Sequence, residues 1–341
     1  MCGFLVVGSS ELELQVFNDA LNQAAYRGPD HQHVSINNGI TWGFNRLSIM
    51  DLSSKGNQPF VYKDCVLVCN GEVYNYHSLK AMLETDYTFK SGSDCEVLIP
   101  LYHKYGIEIL CKFLDAEFAM VIYDAKKDKI LAARDPMGIR PMFYGYHKED
   151  GKICFASEAK GLFPLCQEIM PFPPGHYYED GKFICYNDLS NPKTINNDDL
   201  ETIATNLRLK LEKAVKKRLQ SDAPIGYLLS GGLDSSLVCA IAARLNDQPI
   251  KTFAIGMDTD PIDLKYAKQV ADYLGTDHTE VIMTKEDLLE NLRDVIFHLE
   301  TYDITTIRAS MAMYLLCKYI HEKTDLKVIL TGEVSDELFG Y

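Results

Sequence analysis

Apolar positions come in short blocks through the first half of the chain and in longer helical periods through the second. Gly3 to Val7 (GFLVV) is a continuous apolar run of strand length. Leu14 to Ala25 has helical spacing and ends in the turn chemistry of Gly28-Pro29-Asp30. Thr41 to Phe44 and Arg46 to Asp51 read as strands, with one arginine set between apolar residues. Val66 to Cys69 is a short apolar strand leading into Asn70-Gly71-Glu72, where Asn-Gly signals a hairpin turn. Ser91 to Glu96 precedes a periodic helix carrying Val97, Leu98 and Leu101, and Ser93 or Asp94 reads as its cap. Phe118 to Tyr123, Lys129 to Arg134, Met142 to Tyr146 and Ile153 to Ala156 are further strands around the loop Asp135 to Pro141. Many short strands with few helices predict stacked antiparallel sheets flanked by helices, an α+β layering.

Asn187 to Asn197 is polar and Asn-rich, and predicts a boundary between domains at 1–190 and 191–341. A helix follows with Leu200, Ile203, Leu207, Leu211, Val215 and Leu219 on one face. Ile225 to Leu229 is a buried-strand run feeding Ser230-Gly231-Gly232-Leu233-Asp234-Ser235-Ser236 and a helix to Leu245. Strand (Thr252 to Met257), helix (Leu264 to Leu274) and strand (Thr279 to Met283) then alternate. Thr284 with Asp287 is close to a capping box, and Lys327 to Leu330 is a last strand before Thr331 to Glu337. This alternation predicts a parallel-sheet α/β domain.

Composition narrows the function. A chain of 341 residues, 47% apolar and 24% charged, suits two soluble globular domains. Its net charge of −14 argues against a general nucleic-acid or anionic-membrane surface, while leaving room for a small anion site lined by backbone N–H groups. No apolar run approaches the ~18 residues of a membrane span, and the start carries Glu11 and Glu13 rather than a basic region, so no signal peptide is expected. Ten cysteines without CxxC spacing, Cys65 and Cys69 being four apart in a strand-like run, support neither a zinc site nor a disulfide framework. A reducing cytoplasm is the expected setting.

Several positions carry candidate chemistry. Cys2 is small enough for Met1 to be trimmed, which would leave a thiol and a free α-amine on one residue as nucleophile and base. Its ordinary explanation is an apolar residue starting a strand. Arg46 is either a snorkelling edge residue or a carboxylate clamp. The Asn70 side chain and the Gly71 N–H form either a plain turn or a pair of oxyanion donors. Asp94 is a helix cap or the partner of an ammonium group. The strand, glycine-rich loop and helix around Ser230 to Ser236 make an anion-binding arrangement, although no Gly-Lys-[Ser/Thr] follows as in a Walker A loop.

Taken together, Cys2, Arg27-Gly28-Pro29-Asp30, Arg46-Leu47-Ser48-Ile49, Asn70-Gly71-Glu72-Val73-Tyr74-Asn75, Gly92-Ser93-Asp94-Cys95-Glu96 and Arg134-Asp135-Pro136 resemble, in that order, class II glutamine amidotransferase domains. The resemblance implies an N-terminal-nucleophile hydrolase sandwich of two antiparallel sheets between helices. It implies that Cys2 attacks the glutamine amide, its α-amine shuttles the proton, and Asn70 and Gly71 hold the oxyanion. Arg46 would bind the glutamine α-carboxylate within a stretch that includes Leu47, Ser48, Ile49 and Met50, with Glu72 and Asp94 on the α-ammonium side. One departure is Tyr26 where the family often has histidine.

Ser230 to Ser236 resembles the pyrophosphate loop of enzymes that adenylate carboxylates. Behind a glutaminase domain, and with Thr301 to Ser310, it makes the whole chain similar to the glutamine-hydrolysing asparagine synthetase family. That resemblance implies ATP contacts at Leu228, Ile255, Thr331 and Gly332 and a pyrophosphate cradle at Ser230, Gly231, Gly232, Asp234 and Ser235. Asp234 would be a magnesium ligand, and Glu333, Thr305, Thr306 and Arg308 would serve the β-aspartyl-AMP intermediate. Ammonia would pass from Cys2 through an internal tunnel. The expected cofactors are ATP and Mg2+, the partners are glutamine, aspartate and ATP, and a homodimer is the candidate assembly.

The departures are Thr331 for serine and Val334 for glycine in Ser-Gly-Glu-Gly-Ser-Asp-Glu, and a chain that stops at Phe339-Gly340-Tyr341. They leave two alternatives open: a glutaminase without synthesis, or a degenerate ligand-binding regulator. An amidotransferase of the phosphoribosyl type shares Asp135 to Pro141, but would not bring Ser230 to Ser236.

Overall fold

The amino-terminal apolar run becomes β1 (Gly3–Val7), buried at all five positions. In this computed structural model, residues 1–9, 12–192, 194–259 and 261–340 are described. Glu11, Lys193 and Tyr341 lie outside the described residues. The chain divides into two compact units, Met1–Asn196 and Asn197–Tyr341.

In the first unit α1 (Leu14–Asn22) leads to β2 (His31–Asn37), β3 (Ile40–Arg46), β4 (Phe60–Tyr62) and β5 (Cys65–Val73). Then come α2 (Tyr76–Leu83), α3 (Leu98–Phe113), β6 (Ala116–Asp124) and β7 (Lys129–Arg134). The strands β8 (Phe143–His147), β9 (Ile153–Ala156), β10 (Cys166–Pro171), β11 (His176–Glu179) and β12 (Lys182–Cys185) complete it. They form two antiparallel sheets, ordered β10-β8-β9-β1-β3-β2 and β12-β11-β7-β6-β5-β4.

The two-residue period of the strands builds the layers. Phe4 and Val6 of β1, with Trp42 and Phe44 of β3, meet Val66, Val68, Ala119 and Val121 between the sheets. The alternate residues Leu5 and Val7 pack outward on Phe17, Ala20 and Leu21 of α1. Leu67, Cys69, Met120 and Ile122 face the other way, onto Leu79 and Leu83 of α2 and Leu98, Leu101 and Tyr102 of α3. The result is helix, sheet, sheet, helix, the sandwich the sequence predicts.

Three local expectations are corrected. Arg46 ends β3, and residues 47–53 form a loop rather than a strand. The Arg46 guanidinium gathers the carbonyls of Met50, Asp51 and Ser53 and so turns the chain around itself. Asn70-Gly71 is no hairpin turn: β5 runs unbroken along β6 from Cys65 opposite Asp124 to Val73 opposite Ala116. Ser93 and Asp94 do not cap α3; Asp94 instead accepts the Val73 N–H at 2.6 Å.

The second unit comprises α4 (Leu200–Arg218), β13 (Ile225–Leu228), α5 (Leu233–Leu245), β14 (Lys251–Met257) and α6 (Ile262–Leu274). These are followed by β15 (Asp277–Met283), α7 (Lys285–Leu299), α8 (Ile304–Lys323), β16 (Val328–Leu330) and α9 (Ser335–Phe339). The four strands are parallel, in the order β15-β14-β13-β16. One face packs on α4, α5 and α6 through Val215, Cys239, Ala242, Leu264 and Ala267. The other packs on α8, with Leu316 and Ile320 against Leu228, Phe253 and Leu326. Thr284 caps α7 in a full capping box with Asp287.

The apolar face expected along α4 is only partly used. Val215 is buried, but Leu200 is 82% exposed and Leu207 and Leu211 are exposed as well. Only the C-terminal end of α4 meets the sheet core, through Val215 and Leu219.

Candidate active site in each unit

Cys2 stands immediately before β1, half-buried, at the edge of the core between the sheets. Its Sγ receives the Leu47 N–H at 3.4 Å and lies 3.5 Å from the Leu47 carbonyl. Burial pushes the thiol up, while the nearby terminal ammonium pulls it down. Burial also pushes the Met1 ammonium down to about 5, and Arg27 and Arg140 press it in the same direction. With Met1 in place, its own terminal amine is therefore held mostly neutral near pH 7.

Asn70 is 1% exposed, and its Nδ2 is a buried donor without a hydrogen-bond partner among the described residues. Gly71 follows on β5, where an added Cβ would meet the Glu117 carbonyl at 2.6 Å. Phe118, opposite Gly71, exchanges hydrogen bonds with Asp135 on its β7 side. By ladder alternation the Gly71 N–H then points away from β6. One side-chain donor and one backbone donor thus sit on adjacent residues of one strand, without a turn.

Half-buried Glu72 and buried Asp94 form an acidic pair, close enough for each charge to be felt by the other. Burial pushes Glu72 well above the ordinary carboxylate range, and the Asp94 charge adds to it. Burial pushes Asp94 up to about 6 against the pull of the Val73 N–H. A cation placed beside these carboxyls would favour their charged forms.

Arg46 is buried, and its Nη1 donates to Ser53 O and Asn57 Oδ1, both at 2.7 Å, while Nη2 takes Met50 O and Asp51 O. Loop carbonyls thus occupy the guanidinium fork, which first of all organises residues 50–57. Leu47, Ser48, Ile49 and Met50 line the start of that loop, and Ser48 N donates to Asp30 at 2.7 Å.

Two groups near this centre escaped the sequence reading. Arg140 is buried, lies 3.4 Å from Glu117, and its charge acts on Cys2, Glu72 and Asp94. Asp135 holds the loop that presents it, accepting the N–H groups of Met137, Ile139 and Arg140 at 3.0–3.1 Å. Glu158 gathers Tyr26, Arg27 and Lys160. Only Arg134-Asp135-Pro136 gave a local signal.

In the second unit a cleft of about 220 Å³ is lined by Leu228, Ser230, Gly232, Asp234, Ser235, Met313, Thr331, Gly332 and residues 333–337. The loop after β13 is tied by its own serines: Ser230 Oγ lies 2.9 Å from Ser235 Oγ, and Ser230 N donates to Ser235 Oγ at 3.2 Å. Gly231 has φ +82°, and a Cβ there would fall 2.5 Å from the Tyr266 backbone, so the turn against α6 requires glycine. Val334 takes φ +76° despite its β-branch.

The remaining expected residues stand outside this cleft. Ile255 sits on β14 against the α8 face. Thr305, Thr306 and Arg308 lie in the first turns of α8, capped by Asp303. Thr306, seven residues before the cleft residue Met313, shares its helix face roughly two turns away; Arg308 is rotated by about 140°.

The donor set in the cleft (Asp234, Glu333, Asp336, Glu337) is all hard oxygen, which fits magnesium carried on phosphate. No group of three or more potential metal-ligating side chains was found among the described residues. No helix among them is long and apolar enough to cross a membrane.

The glutamine amidotransferase domain family matches residues 1–174, and the asparagine synthase family matches residues 206–341. A probable glutamine-hydrolysing asparagine synthetase of Schizosaccharomyces pombe is 42% identical, over 100% of this chain and 65% of its own length. Asparagine synthetase B of Escherichia coli is 42% identical over 92% of this chain and 59% of its own length. A probable asparagine synthetase of Acanthamoeba polyphaga mimivirus is 38% identical over 100% of this chain and 67% of its own length. The chain spans 59% to 65% of the length of the first two of these curated relatives. By these matches, one across each unit and others along the whole sequence, the chain belongs to the glutamine-hydrolysing asparagine synthetase family.

Proposed function

We propose that the chain hydrolyses glutamine at Cys2 and uses the ammonia to make asparagine from aspartate activated by MgATP. The observation that carries the first half is the Cys2 thiol at the amino terminus, on the sheet facing the buried, unpartnered Asn70 donor. Once Met1 is removed, the Cys2 amine takes the thiol proton as sulfur attacks the glutamine side-chain carbonyl. The oxyanion receives Asn70 Nδ2–H and Gly71 N–H. The amine returns the proton to the leaving ammonia, and water then cleaves the thioester to glutamate.

Glu72 and Asp94 meet the substrate ammonium, whose charge favours their ionised forms. The α-carboxylate meets Arg46 at the loop it organises, taking its Nε–H or displacing a carbonyl. In the second unit the Ser230 to Ser235 loop and the start of α5 cradle pyrophosphate, a reading supported by the glycine-rich turn at Gly231 leading from β13 into the amino-terminal end of α5. Leu228, Thr331 and Gly332, which line the cleft, receive the nucleotide, and Ile255 stands outside it on β14. Asp234 would hold the magnesium that neutralises phosphate charge, and Glu333 lies at the reacting carboxyl. Of the expected α8 residues, Thr306 is on the helix face of the cleft residue Met313 and would be the one to approach the aspartyl end of the intermediate, whereas Thr305 and Arg308 stand outside the cleft.

Cys2→Ala is expected to abolish glutamate release from glutamine while leaving any ammonia-dependent asparagine synthesis. Glutamate release persisting in that variant would remove the assignment. Chelating Mg2+ is expected to stop pyrophosphate release and leave glutamate release intact. The strained Val334 in the cleft favours one second reading, a glutaminase without synthesis, and asparagine formation would remove it.

A further inference from the structure

Ser157 to Lys160, the segment directly after β9, meets the amino terminus at two points. Ser157 exchanges hydrogen bonds with Phe4 in both directions, its Oγ accepting Phe4 N at 3.0 Å and its N donating to Phe4 O at 3.0 Å. Glu158 is 4% exposed, and the Tyr26 hydroxyl lies 2.6 Å from both its carboxylate oxygens. Arg27 Nη1 reaches Oε1 at 2.9 Å and Lys160 Nζ reaches Oε2 at 2.9 Å. Lys160 also donates to the Tyr26 hydroxyl at 3.1 Å. Arg27, gripped this way, donates through Nε to the Cys2 carbonyl at 2.9 Å.

Burying a carboxylate with two cations costs desolvation that their attraction seldom exceeds, so such a cluster is weak as a stabilising device. What it fixes is direction. Removal of Met1 leaves Cys2 tethered on one side only, and a terminal residue frays unless held. The Cys2 carbonyl shares its Cα with both the thiol arm and the amine, so a donor on that carbonyl sets the frame from which both project. We propose that Glu158 is a positioning residue for the Cys2 centre, orienting Arg27 onto the Cys2 carbonyl so that thiol and amine face the substrate amide. This rests on the reading of Cys2 as nucleophile.

The experiment uses the full chain with Met1 removal verified by mass. It compares Glu158→Gln, Arg27→Gln and the double variant, with rates normalised to the sites titrated by a glutamine-analogue electrophile. Glu158→Gln is expected to lower kcat for glutamate release on the order of 10- to 100-fold with KM for glutamine unchanged, the scale of misplaced reacting groups. The double variant is expected to be no slower than Arg27→Gln alone, because both changes break one linkage. A wild-type kcat per titrated site in Glu158→Gln, or losses that multiply in the double variant, would overturn the proposal.

Should Glu158→Gln fail to fold, Tyr26→Phe removes one hydrogen bond from the same carboxylate at nearly constant volume. A kcat loss present in the parent and absent in the Arg27→Gln background supports the linkage, and a wild-type kcat overturns it. Cys2→Ala, assayed alongside, separates the two readings. Release that survives in Cys2→Ala overturns the nucleophile itself; release lost there but intact in Glu158→Gln overturns only the positioning role.

Discussion

Asn70 holds a buried amide donor that nothing among the described residues accepts. An unmade buried hydrogen bond costs about 1–3 kcal/mol in the ligand-free chain, and is made only when an oxyanion forms beside it. Asn70→Ala is therefore expected to lower kcat for glutamine hydrolysis by on the order of 10²–10³ with the melting temperature unchanged or raised. A matching loss of stability would place Asn70 in the scaffold instead.

Asp94 makes the parallel case through pH. Folded, it keeps its proton up to about 6; unfolded, it loses it near ~4. The folded chain binds more protons across that window, so the Asp94 contribution is full below pH ~4 and lost as pH rises toward 6. Asp94→Asn is expected to gain stability relative to the parent as pH rises through this window, and to bind glutamine more weakly. Urea denaturation at several pH values reads the difference, and a pH-independent offset would contradict it. Cys2 could be singled out as a candidate from the sequence because the chemistry of a chain terminus is local. Glu158 and Arg140 could not be, because the contacts that tie them to this end of the chain, Tyr26 and Arg27 for Glu158 and Met1 for Arg140, lie more than a hundred residues away in sequence.

Elements were legible where period and length agreed, as in β1 and the βα turn after β13. Asn70-Gly71 misled because its turn preference is weaker than nine residues of ladder with β6. The stretch after Arg46 misled because an arginine, not its apolar neighbours, decides the backbone there. Val334 is the reverse case, a residue whose poor fit was visible in the sequence and is retained at φ +76°. A left-handed conformation costs an L-residue about 1–2 kcal/mol, and glycine gives back roughly 0.5–1 in backbone entropy. Val334→Gly is expected to leave the second unit's stability unchanged or raised by up to about 1 kcal/mol, as thermal denaturation would show; a clear loss would mean the Val334 side chain contributes packing that outweighs the strain.

At the scale of the whole molecule, the sequence switches from short strands to strand-helix alternation across the Asn-rich stretch. The chain divides at Asn196, inside the Asn-rich stretch. Less legible was how far the second unit would cover its own apolar positions: Leu200 on α4 and Ile304 on α8 stay exposed. Periodicity marks an apolar face but does not say whether anything reaches it. The chain's span of 59% to 65% of the first curated relatives makes the joint reaction the claim to test. The most direct measurement is one incubation of the chain with glutamine, aspartate and MgATP, reading glutamate, asparagine and pyrophosphate together. Asparagine and pyrophosphate rising in step with glutamate, and glutamate release vanishing in Cys2→Ala, is the predicted result. Glutamate without asparagine, or glutamate that persists in Cys2→Ala, would contradict it.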